Sequence, residues 1–179
     1  YFLVSAHREE NVDSRDRLAE FADALNAIVR RYGEPVLVST HPRTRKRIEQ
    51  FGFEFDERIR LLKPFGFFDY NALQMQARAV LSDSGTISEE SAILNFPALN
   101  IRDAHERPEA MEEAAVMLVG LGPDRILQGL AILDSQPRGK NRLIRIPQDY
   151  AMPNVSEKVL RIIVSYTDYV RRTVWREKS

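Results

Sequence analysis

The sequence predicts an α/β fold, a Rossmann-like, doubly wound parallel sheet, and two patterns carry that expectation. Six short, nearly continuous apolar runs of strand length alternate with helical segments, as parallel strands do when both faces are covered by helical crossovers. The residues with chemistry in their side chains gather just after those runs, where open α/β sheets bind ligands. With 179 residues, 44% of them apolar, the chain has enough material for one sizeable core.

Each element has its own signal. Phe2 to Ala6 reads as the first strand, followed at once by His7-Arg8-Glu9-Glu10-Asn11. From Leu18, apolar residues at 18, 21, 22, 25, 28, 29 and 32 share one helical face, and Gly33 then Pro35 supply the stop. Val36 to Ser39 is the second strand and delivers Thr40-His41-Pro42, with Pro42 opening a helix to Phe51. Ile59 to Leu62 is the third, ending in Lys63-Pro64-Phe65-Gly66, after which Asp69 is expected to cap a short helix through Met75 to Arg78. The fourth, Ala79 to Leu81, stops at Ser82-Asp83-Ser84-Gly85, and Thr86 to Leu94 reads as helix. Pro97 to Ile101 and Val116 to Val119 are the fifth and sixth strands, and Gly122-Pro123-Asp124 introduces a helix to Leu133. After a polar, Pro-punctuated stretch over 135–153, Asn154 and Glu157 make a start resembling a capping box. Apolar residues then recur at 155, 159, 162, 163, 166, 169, 170 and 174, a helix of about five turns. The expected division is therefore a Rossmann-like domain over 1–153 and a C-terminal helix over 154–179.

Composition removes several classes of function. The 26 Lys and Arg balance 26 Asp and Glu, so no global field recruits nucleic acid or an anionic membrane, and basic work must be local. Zero Cys excludes disulfides, thiolate metal sites and a Cys nucleophile. No apolar run approaches the roughly 20 residues of a membrane span, and no signal peptide is visible, so the chain reads as cytoplasmic. It starts without Met inside an expected strand, as a piece of a longer protein would.

The fourth strand-turn-helix unit is the focus. Such a turn aims backbone N–H groups and the positive end of a helix dipole at one spot, which suits a phosphate, and Gly85 allows close approach; a plain helix cap is the other reading of Ser84-Gly85. All three histidines, His7, His41 and His105, fall just past strand ends, as do Arg8, Lys63, Arg102 and Arg107. Beside a phosphate site, His7 and Arg8 supply donors and positive charge, and an imidazole can assist a departing phosphate oxygen. Arg107-Pro108-Glu109 reads as a helix entry from which Arg107 projects toward the phosphates. Glu90 suits hydrogen bonds from a ribose diol, while Glu89 reads as structural. Phe65, Phe67 and Phe68 fit either the core or the flank of a flat base. The basic run Arg43, Arg45, Lys46 and Arg47 reads as a solvated helix face. Dinucleotide, P-loop and zincin signatures are missing, and no His pairing suggests a metal.

At His7-Arg8-Glu9-Glu10-Asn11, Thr40-His41-Pro42, Asp83-Ser84-Gly85-Thr86-Ile87-Ser88-Glu89-Glu90 and Arg102-Asp103-Ala104-His105-Glu106-Arg107-Pro108-Glu109, the chain resembles the C-terminal half of non-hydrolysing UDP-N-acetylglucosamine 2-epimerases. Gly66-Phe67-Phe68-Asp69-Tyr70 and Val164-Ser165-Tyr166-Thr167-Asp168-Tyr169-Val170 are similar to the branch that forms UDP-N-acetyl-L-fucosamine for bacterial capsule and O-antigen. The resemblance implies one half of a GT-B-type two-domain fold, needing no cofactor or metal, with His7 required for activity. It implies that Ser84, Gly85, Glu90 and Arg107 contact UDP, and Arg8, His41 and Phe65 join them as expected substrate-binding residues. It also implies abstraction of the C2 proton, loss of UDP to give a 2-acetamidoglycal, and return of UDP with reprotonation on the other face. The proton-moving carboxylates belong to the N-terminal half, so this chain alone is expected to be inactive. Expected partners are the UDP-sugar, that N-terminal domain, toward which the C-terminal helix packs, and a second copy in a homodimer, with residues 166–175 prone to self-association. A nucleotide-sugar glycosyltransferase domain and a UDP-binding regulatory module are the alternatives.

Overall fold

A computed structural model describes residues 1–104 and 106–177. It falls into two compact units, Tyr1–Pro147 and Gln148–Ser179. The first unit contains β1 (Phe2–Ser5), α1 (Glu9–Val12), α2 (Arg15–Tyr32), β2 (Val36–Ser39), α3 (Pro42–Phe51), β3 (Ile59–Leu62) and α4 (Phe67–Gln76). It continues through β4 (Val80–Ser82), α5 (Ile87–Leu94), β5 (Ala98–Asn100), α6 (Pro108–Glu112), β6 (Met117–Leu118) and α7 (Pro123–Leu133).

The six strands are all parallel and ordered β3-β2-β1-β4-β5-β6. The chain therefore builds outward from β1 to β3, then returns to lay β4 on the other side of β1. That reversal opens a crevice beyond the carboxyl ends of β1 and β4, the usual ligand position in doubly wound sheets. Register makes the two ends level: Leu3 pairs with Val80 and Ser5 with Ser82, so the segments starting at His7 and Asp83 emerge side by side.

Both faces of the sheet are covered, and the strand residues alternate between them. Phe2 and Val4 join Leu18, Phe21, Leu25 and Ile28 of α2 and Ile126 and Leu130 of α7. Leu3 points the other way, to Val80, Ile87, Phe96 and Ala98. Burial of each such large side chain contributes about 1.5–3 kcal/mol before chain entropy is subtracted. The long helix α2 forms where the apolar stripe predicts it, but starts earlier because Ser14 caps it, its side chain accepting from the Arg17 N–H at 3.1 Å. It ends at Gly33, whose φ of 71° permits the N–H to return to the Val29 carbonyl.

Three local expectations are corrected. Glu9 to Val12, to which the sequence assigned no element, make a helical turn. Helix α4 begins at Phe67 with Gly66 as its cap, so Asp69 sits inside the first turn, where it complements the helix dipole without capping. In the second unit, α8 (Gln148–Ala151) precedes α9 (Val155–Thr173), and the capping box does not form: Asn154 adopts a left-handed conformation, φ 60°, and its side chain makes no cap bond. From 151 to 177 every residue is exposed except half-buried Val170. The stripe on α9 thus shows solvent such residues as Ile163, Tyr166, Tyr169 and, just beyond the helix, Trp175. Among the described residues no helix is long and apolar enough to cross a membrane.

Helix α7 approaches β5 through Gly129, where an added Cβ would lie 2.9 and 3.2 Å from the two methyls of fully buried Leu99 and 3.3 Å from Val119. Gly129→Ala gains about 1 kcal/mol of helix propensity but overpacks the space against the buried Leu99 side chain, at a cost of about 1–3 kcal/mol. The expected outcome is a net loss near 1 kcal/mol and a melting temperature lower by about 2–4 °C. A variant that melts higher than the parent would show that Leu99 can turn away.

Candidate functional site

The crevice between β1 and β4 is organised by a buried carboxylate. Asp83 follows β4 directly, and its side chain is 0% exposed. Oδ2 accepts hydrogen bonds from the backbone N–H groups of His7 (2.9 Å) and Arg8 (2.8 Å) and from the Asn11 amide (3.3 Å). The same Asn11 amide reaches the Ile101 carbonyl at 3.2 Å, tying in the end of β5. A buried anion is tolerable only with such partners, so the loop after β1 is held against the turn after β4.

Ser5, His7, Ser39, His41, Pro64, Phe65, Phe67 and Tyr70 line a cavity of about 290 Å³ at the ends of β1, β2 and β3. His7, His41 and Phe65 were expected at the site, and the fold brings them together. His41 is also structural, because it caps α3, its Nδ1 accepting from the Arg43 N–H at 3.3 Å. Phe65 packs with Tyr70, ring centroids 6.4 Å apart and planes 24° apart, so it is half-buried while one side lines the cavity. Phe67 and Phe68 are 74% and 85% exposed, which rules out a core role for either. Burial pushes the Tyr70 phenol up to about 12, so it stays neutral; Ser5 beside its hydroxyl opposes the shift only in part, without a hydrogen bond of regular geometry.

Ser84, Gly85, Glu90 and Arg107 form a second group beside this cavity and do not line it. The Ser84 hydroxyl lies 2.9 Å from that of Thr86, in front of α5. At Gly85 an added Cβ would meet Glu106 Oε2 at 2.8 Å and the Arg107 guanidinium at 3.5 Å, so the glycine admits two charged side chains onto the turn. Arg107 leads into α6 with Pro108 at its first position, and its Nε donates to Glu89 at 2.8 Å. Glu89 thus aims the arginine, while Glu90 accepts from the fully buried Gln74 amide of α4 at 2.6 Å.

A mesh of ion pairs joins the two groups. Arg8 reaches Glu106 at 2.9 Å, and Arg102, only 5% exposed, holds Glu106 and Glu10, each at 2.6 Å. Hydrogen bonding from Arg102, with help from Arg8, holds the Glu106 carboxyl below its ordinary range. The basic run on α3 is more than a solvated face: Arg43 and Arg47 both grip Asp13 at 2.9 Å, and Arg45 donates to the Leu61 carbonyl. His105 lies outside the described residues. Sequence reading did not single out the roles of Asp83, Asn11, Gln74, Tyr70 or Glu106. An acidic residue two positions after the apolar run Ala79 to Leu81 was the available signal for Asp83, whereas Gln74, one of two glutamines in α4, carried none.

The model of a family described as UDP-N-acetylglucosamine 2-epimerase matches residues 1–164. A UDP-N-acetylglucosamine 2-epimerase of Methanocaldococcus jannaschii is 34% identical over 142 residues, which are 77% of this chain and 39% of that protein. The solved structure of a UDP-N-acetylglucosamine 2-epimerase from Rickettsia bellii superposes with a TM-score of 0.85 at 43% identity, covering 99% of this chain and 47% of that one. The Methanocaldococcus jannaschii enzyme in complex with UDP-GlcNAc and UDP gives a TM-score of 0.81 at 31% identity, covering 92% and 45%. The chain thus spans less than half the length of these relatives.

Proposed function

The chain belongs to the UDP-N-acetylglucosamine 2-epimerase family, and from that membership we propose that it is the UDP-binding half of a cytoplasmic UDP-N-acetylhexosamine 2-epimerase. The observation that carries the proposal is the meeting of the Ser84-Gly85 turn, Arg107, Arg8 and His7 around the crevice between β1 and β4, next to a cavity walled by aromatic side chains. In this reading Arg107, Arg8 and the Ser84-Gly85 turn take the diphosphate, and His7 assists the departing phosphate oxygen. Glu90, steadied by Gln74, takes the ribose diol, and Phe65 and His41 border the base. A related enzyme with UDP-GlcNAc and UDP bound supports the ligand class.

The finer reading is C2 epimerisation by loss and return of UDP, in making precursors of bacterial capsule or O-antigen, with UDP-N-acetyl-L-fucosamine as the product suggested by Gly66 to Tyr70 and Val164 to Val170. Residues 1–153 are then the UDP-binding half of a GT-B-type enzyme. The helix from 154 carries apolar surface for the N-terminal domain, and the whole enzyme is a homodimer.

Calorimetric titration of the chain with UDP is expected to show saturable binding that weakens about tenfold or more in Arg107→Ala and in Glu90→Ala, each removing hydrogen bonds to a charged group worth about 1.5–3 kcal/mol. Equal affinity in both variants would place the nucleotide elsewhere. The chain alone is expected not to exchange the substrate C2 hydrogen with solvent deuterium, because its assigned carboxylates leave no acid/base pair for that carbon. Deuterium appearing at C2 overturns that assignment. In sedimentation the chain is expected to associate through its exposed apolar stripe, and a version ending at Ser165 to associate less. Identical sedimentation of the two would remove residues 166–175 from the interface.

A further inference from the structure

We propose that Asp83 is a positioning residue for His7: its free carboxylate oxygen takes the Nδ1 proton of the imidazole, and the ring thereby presents Nε2 on the side away from the turn. The inference rests on the reading of this crevice as a UDP site, and adds to it which ring nitrogen meets the ligand.

The two oxygens of Asp83 hold different groups. Oδ2 is filled by the N–H groups of His7 and Arg8 and the amide of Asn11. Oδ1 is buried as well and has no hydrogen-bond partner of regular geometry among the described residues, but His7 Nδ1 lies 3.2 Å from it. Without a proton on Nδ1, a bare ring nitrogen would sit beside a desolvated anion at that distance, and Oδ1 would stay unsatisfied. With the proton there, one carboxylate holds both the backbone and the ring of His7. Ser5 Oγ is the other neighbour of Nδ1, at 3.5 Å. A hydroxyl can donate or accept and so adapts to either tautomer, whereas a carboxylate can only accept. The shorter, charged contact therefore dictates the proton's place.

His41 supplies an internal contrast in the same cavity. Its Nδ1 accepts from the Arg43 N–H, which requires that nitrogen to be bare and, in the neutral ring, puts the proton on Nε2. The two histidines that line one cavity are thus set in opposite tautomers by their partners.

Long-range proton–nitrogen correlation spectra of the ¹⁵N-labelled, ligand-free chain in alkaline buffer distinguish the tautomers, with His7→Gln and His41→Gln assigning the signals. The expected result is Nδ1–H at His7 and Nε2–H at His41. In Asp83→Asn the new amide can donate to Nδ1, so His7 should switch to Nε2–H while His41 is unchanged, and Ser5→Ala should leave His7 as in the parent. A parent His7 already in the Nε2–H form, a ring unmoved by Asp83→Asn, or one switched by Ser5→Ala overturns the proposal. The parent and Ser5→Ala spectra decide the matter even if Asp83→Asn does not fold. Because these spectra contain no ligand, a separate UDP titration keeps the two readings apart. Expected tautomers with no UDP binding would sink only the nucleotide reading, and UDP binding with His7 as Nε2–H would sink only the positioning role.

Discussion

The site depends on a carboxylate that the fold cannot leave unpaired. Asp83 sits at the point where the strand order reverses, in a crevice that would otherwise be a gap between diverging loops. Burying its charge compels donors to converge on it, and those donors are the backbone of His7 and Arg8 and the side chain of Asn11. The constraint spreads from there. The side-chain Oδ1 of Asn11 accepts from Arg17 of α2 at 3.2 Å, and Arg17 also pairs with Asp103 beyond β5. Three strand ends and one long helix are thereby held around a single anion.

What could be read from the sequence, and what could not, follows from the range of the interactions. Strands β1, β4 and β5 are visible because both their faces are buried and their residues are apolar in runs, and β2 and β3 because their apolar residues cluster despite partial exposure. Strand β6 is shorter than its apolar run, pairing with β5 only through Met117 and Leu118. The strand-end positions of His7, His41 and Arg107 are local facts and were legible. Asp83's bond to Arg8 spans 75 residues and that of Gln74 to Glu90 spans 16, crossing from one helix to another. No local pattern records such pairings. The start of α4 was misjudged for a related reason: Asp69 is a good cap in isolation, but the chain leaves β3 extended only as far as Gly66, so the helix begins before the aspartate is reached.

The charges around the turn are matched among themselves. Arg8 and Arg102 share Glu106, Arg102 adds Glu10, and Arg107 is aimed by Glu89. Pairs of this kind differ greatly in how firmly they hold. Arg102 is nearly buried, and stripping it of partners would strand a desolvated cation, so its contacts are structural. Arg8 and Glu106 are about one-third exposed, at 39% and 33% of their side chains, and a pair that wet contributes little net stability. It can therefore exchange partners at low cost. Glu106 lies against Gly85, where the nucleotide reading places a diphosphate. In that reading an arriving anion meets a carboxylate already held by cations, and the step that admits it is a change of partner by the wet Arg8 while the buried Arg102 keeps its hold on Glu106 and Glu10. The fixed and the exchangeable charges of the site are thus separated by burial, with Asp83, Arg102 and the Glu106 that Arg102 holds on one side and Arg8 on the other.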